Sequence, residues 1–61
     1  MTIKEMTERY IEQMEQTKKL GEIILRMKGI EQDKNEEIEL EIENMNEHLS
    51  ISIDILKIEL M

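Results

Sequence analysis

His48 is the only histidine, and no cysteine accompanies it, so acid–base chemistry near neutral pH would have to begin there. Glu41, Asn44 and Glu47 stand close to it along the chain, but no Glu-x-x-His spacing and no second ligand is present. The residues therefore read as a surface histidine among carboxylates. No Ser/His/Asp arrangement, Gly-rich phosphate loop or pair of acids in an apolar setting appears. We read the chain as non-enzymatic, with no catalytic residue, cofactor or metal site.

Six carboxylates crowd one segment: Glu36, Glu37, Glu39, Glu41, Glu43 and Glu47. Helical carboxylates do not wrap an ion as a calcium loop does, so calcium binding is not expected. Two readings remain for this run. It is a solvated face that contacts the basic residues Lys18, Lys19, Arg26 and Lys28, or it is an acidic surface for a basic partner. Charge supports either. Residues 1–28 hold six Lys/Arg against five Glu, and residues 29–61 hold two Lys against ten acids. The formal net charge of −7 disfavours nucleic acid and anionic lipid as partners.

Long helices must position these groups. Proline is absent, glycine occurs twice, and Glu, Lys, Ile, Leu and Met dominate. Thr2 and Glu5 fit a capping box, with Met1 and Met6 placed as a hydrophobic staple. Ile3, Met6, Tyr10, Met14, Thr17, Gly21 and Ile24 recur at 3–4 spacing and predict the core face of a helix over about 3–27. Gly21 on that face implies close approach of a second helix or a slight kink, with a flexible hinge as the functional alternative. Glu5–Arg9, Glu15–Lys19 and Glu22–Arg26 are favourable i,i+4 pairs. Lys28-Gly29-Ile30 reads as a C-cap, and Asp33 with Glu36 as the next N-terminal signature. The turn is placed at 28–33 and the second helix at about 34–60.

The second segment is ambiguous at first sight. Leu49, Ile51, Ile53 and Ile55 alternate with polar residues as a strand would. No partner strand or two-residue hairpin turn exists, however. Ile38, Ile42, Met45, Leu49, Ile53, Leu56 and Leu60 make one unbroken helical face. Leu40, Ile51, Ile55 and Ile58 then fall on the opposite side. The apparent period of two belongs to a helix with two apolar faces.

A partner helix covers one face and leaves the other. Helix 1 has its own surplus near the turn: Leu20, Ile23 and Met27. In a symmetric antiparallel pair of hairpins these surpluses would meet, as in an isologous four-helix bundle. Met1, Met6, Met14 and Met45 are assigned to intrachain packing, and Met27 and Met61 to the surface. Size argues the same way. A core from 61 residues supplies only about 3–5 kcal/mol, and no disulfide can add to it.

The expectation is an all-α antiparallel helical hairpin, a single domain over 1–61, dimerising into a four-helix bundle. Its function is predicted to be that of a small protein-interaction module: a regulator, adaptor or inhibitor that binds itself and another protein. The interface residues are Leu20, Ile23, Met27, Leu40, Ile51, Ile55 and Ile58. The alternatives are an acidic charge-mimicking inhibitor of a nucleic-acid-binding protein, or a small RNA-binding hairpin dimer. The longest apolar run, Ile23–Leu25, falls far short of a signal or membrane segment, so a cytosolic protein is expected.

Overall fold

The computed structural model describes residues 1–27 and 36–61. Two helices, α1 (Ile3–Met27) and α2 (Glu36–Leu60), pack against each other, and no strand occurs among the described residues. The predicted turn, the Gly29 cap, Ile30, Asp33 and the first residues assigned to helix 2 lie outside the described residues. Gly21 neighbours Asn46, while Glu15 meets Lys57, so the helices run antiparallel. The alternating segment 49–60 is helical throughout.

The start of α1 follows from its cap. The Thr2 hydroxyl accepts the Glu5 N–H at 3.1 Å, and the Thr2 carbonyl accepts the Met6 N–H at 3.1 Å. The Glu5 carboxylate does not reach back to a backbone N–H, as a full capping box would have it. It accepts the Thr2 hydroxyl instead, at 3.2 Å. The staple pair, Met1 and Met6, is exposed rather than packed.

The core is small. Among the described residues Ile11, Met14 and Ile53 are the buried hydrophobics, with Leu49, Leu56 and Leu60 packed against them. On α1 the face toward α2 is the line Thr7, Ile11, Met14, Lys18, Gly21 and Leu25, all buried or half-buried. This corrects the predicted face. Met14 and Gly21 do face inward, but Ile3, Met6, Tyr10, Thr17 and Ile24 are exposed. The reason lies in spacing. The predicted face crosses between two neighbouring stripes, offset by one residue or roughly 100° around the helix. One partner helix covers one of them. The covered stripe includes Lys18, whose aliphatic stem can lie along a core edge.

On α2 the covered line is Glu39, Ile42, Asn46, Leu49, Ile53, Leu56 and Leu60. Ile38 and Met45, predicted on it, are exposed, and Asn46 occupies the inward position at Met45's level. Glycine explains the exchange. A Cβ on Gly21 would stand 2.7 Å from Asn46 Oδ1, 2.9 Å from its Nδ2 and 3.1 Å from Ile42 Cγ2. The missing side chain makes room for the Asn46 amide, which donates to the Lys18 carbonyl at 3.4 Å. The predicted close approach at Gly21 is thus present, and an asparagine fills it.

Candidate interaction surfaces

A helix in a hairpin has two further sides next to the one it buries. On α1 they differ in kind. One residue beyond the covered line come Glu5, Glu8, Glu12, Glu15, Lys19, Glu22 and Arg26, and every one is charged. One residue before it come Ile3, Met6, Tyr10, Gln13, Thr17, Leu20, Ile24 and Met27, and none is charged. These eight positions follow 3-4-3-4-3-4-3 spacing, the a/d pattern of a coiled-coil seam. All eight are exposed; Ile3 is 87%, Tyr10 61% and Leu20 58% accessible. The most apolar side of α1 is therefore not the side that α2 covers.

The charge-free side is continued by α2. An open concavity of about 430 Å³ at the free end is lined by Met1, Ile3, Met6, Tyr10 and Leu56, with Thr2 and Thr7. A second of about 480 Å³ is lined by Tyr10, Met14, Met45, His48, Leu49, Ser52, Ile55 and Leu56. The threonine hydroxyls on this side bond within their own helix: Thr7 donates to the Ile3 carbonyl at 2.7 Å and Thr17 to the Gln13 carbonyl at 2.9 Å. Their methyl groups can be covered without stranding a donor.

The opposite broad side is polar. Glu15, Lys18, Lys19, Glu22, Ser50, Asp54 and Lys57 line one depression there, over Ile53. Lys18, Glu22, Glu43, Asn44, Asn46, Glu47 and Ser50 line another, with Leu25. Lys57 Nζ lies 2.9 Å from Glu15 Oε1, both side chains well exposed, and is the ion pair found among the described residues. Its hydrogen bond and charge hold the Glu15 carboxyl below its ordinary value, with smaller help from Lys19 and Lys18. The i,i+4 pairs predicted within α1 are not formed. Nor does Lys18, Lys19 or Arg26 make an ion pair with the acidic run, although Lys18 shares a depression with Glu43 and Glu47. Lys28 lies outside the described residues. Glu36, Glu37, Glu41, Glu43 and Glu47 are exposed, and Glu39 is half-buried on the covered line.

The sequence-derived interface residues separate into two places. Leu20 and Met27 belong to the charge-free line of α1, and Ile23 flanks it on the outer edge. Leu40, Ile51 and Ile58 form the outer edge of α2, away from α1, with Ile55 between that edge and the apolar side. The charge-free line was not found from sequence, although its heptad spacing was available there.

His48 is exposed, and no group of three or more His, Asp or Glu among the described residues is arranged to hold a metal. Among the described residues no helix is long and apolar enough to cross a membrane. No protein family, curated protein or solved structure matches the chain.

Proposed function

We propose that this chain is a non-enzymatic, cytosolic protein-interaction module, a small regulator, adaptor or inhibitor. It works as a homodimeric four-helix bundle and binds another protein through the outer edge of α2. The observation that carries the reading is the distribution of apolar surface. Among the described residues three hydrophobics are buried, whereas fifteen large ones are exposed. A monomer that exposes so much apolar side chain has surfaces left for partners. Leu40, Ile51 and Ile58 point away from α1, and Glu37, Glu47 and Asp54 lie along the same edge. An apolar row with an acidic border suits a protein groove with a basic rim.

The test compares baits. Wild-type chain and an Ile51→Asp/Ile58→Asp variant are used for affinity capture, and captured proteins are then titrated in purified form by calorimetry. A genuine partner binds the wild type at least tenfold more tightly than the variant. Equal binding to both removes the outer edge from the reading.

A second reading draws on Glu36, Glu43 and Glu47, which share one exposed row at helical spacing. That row favours a basic partner, including a nucleic-acid-binding protein whose ligand it imitates. Such a complex weakens steeply between about 50 and 200 mM salt. A complex through the outer edge of α2, held mainly by its apolar row, weakens less over that range.

A further inference from the structure

We propose that the charge-free line of α1 is the self-interface, and that its occupant is α1 of a second copy of this chain, running antiparallel. The inference rests on the reading of the chain as a homo-oligomer and assigns the surface that does it. It replaces the outer edge of α2 as the dimer contact and leaves that edge free for another protein.

Three observations select a second copy. The first is geometry. The covered and charge-free lines of α1 are each heptad seams, roughly 100° apart around the helix. A helix at the corner of a four-helix bundle meets its two neighbours at about that angle. In the hairpin α1 has one neighbour, and the open seam points to where the other would stand.

The second is self-complementarity. An antiparallel two-fold through the middle of α1 sets Ile3 against Met27 of the second copy, and Met6 against Ile24. Tyr10 meets Leu20. The two polar members, Gln13 and Thr17, are central and meet each other. Apolar thus faces apolar and polar faces polar along the whole helix, as an isologous interface requires. Antiparallel docking also keeps the two acidic runs, Glu36–Glu47, at opposite ends of a body 46 Å long, several screening lengths apart. Parallel docking would bring twelve carboxylates to one end.

The third is area. The hairpin measures 46 × 17 × 13 Å and exposes 5376 Å². A compact monomer of this size exposes about 4,200 Å². Covering one broad side, 46 by 17 Å, would bury on the order of 800 Å² per copy, which is what a stable standard interface buries.

The experiment uses the full chain and light scattering at about 50–100 µM, with helicity measured alongside. Wild type should have twice the monomer mass. Tyr10→Glu/Leu20→Glu should fall to the monomer, and Ile51→Asp/Ile58→Asp should stay dimeric. A monomeric wild type overturns both this assignment and the homo-oligomer reading. A wild-type dimer that survives Tyr10→Glu/Leu20→Glu overturns the assignment alone. A second measurement avoids introducing charge. The natural chain has no cysteine, so Gln13→Cys and Thr17→Cys chains can be mixed and oxidised. Antiparallel seams yield the mixed disulfide well above the statistical half of crosslinked product. A product at or below that half overturns the antiparallel assignment.

Discussion

At the level of single residues, Gly21 and Asn46 form the most specific contact in the hairpin. Glycine in a helix costs about 0.5–1 kcal/mol against alanine, so its presence needs a cause. The cause is the Asn46 amide, which comes within 2.7 Å of where a Cβ would be. Gly21→Ala should gain helix propensity and lose the Asn46–Lys18 bond, leaving stability within about 1 kcal/mol of wild type. In an Asn46→Ala background the clash with the amide is gone, and the same change should stabilise. Thermal melts of the four-member cycle should give a coupling of about 1 kcal/mol. Simple additivity would remove the packing explanation of Gly21. Glu15 offers a test by pH. Lys57 lowers its folded-state pKa. The stability this adds is therefore present at neutral pH and is lost as the pH falls through that lowered value. The melting temperatures of wild type and Glu15→Gln should differ slightly at pH 7 in low salt and converge in strong acid. A gap that persists at pH 2 would show that the difference does not come from the carboxylate's charge.

At the level of elements, the two helices were legible from sequence, and the reason is physical. Thr2 caps α1 where the 3–4 apolar spacing begins, and the strand-like alternation after Leu49 belongs to one continuous helix with apolar residues on two sides. Thr2→Ala should cost about 1 kcal/mol locally. At a helix end this loss appears as faster amide exchange over the first turn of α1, with the rest of the helix unchanged. The rotation of α1 was less legible. Its apolar residues occupy two adjoining seams, and counting them does not show which one α2 covers. That choice depends on Gly21 admitting Asn46, a polar residue that apolar periodicity passes over. It also depends on Lys18, a charged residue on a covered line. For Ile38 and Met45 the same rotation decided exposure. The seam at the centre of the proposed dimer carries Gln13 and Thr17, and polar residues at such positions weaken a coiled coil while fixing its register. Gln13→Leu/Thr17→Leu should therefore raise the melting temperature and relax the docking direction. An Ile3→Cys reporter would read this out, since it crosslinks to its own copy only in the parallel arrangement.

At the level of the whole molecule, burial and shape argue that folding and association are one process. The radius of gyration is 14.4 Å, whereas a compact chain of this length would have about 10–11 Å. Among the described residues no side chain is fully buried, and the core rests on Ile11, Met14 and Ile53. A 25-residue helix within a protein draws most of its stability from packing rather than propensity, and here one narrow contact supplies it. If the second copy provides the missing contact, the folded state is bimolecular and mass action governs its melting. With an unfolding enthalpy near 0.7 kcal/mol per residue, a two-chain assembly of this size melts with roughly 85 kcal/mol. A tenfold rise in concentration should then lift the melting temperature by about 6 °C. Circular dichroism from 2 to 200 µM would resolve this as a shift of about 12 °C. Tyr10→Glu/Leu20→Glu, which cannot recruit the second copy, should show less helix than wild type and no dependence on concentration. A wild-type melting temperature constant over that hundredfold range would mean that the hairpin folds alone, and the apolar side of α1 would then need another occupant.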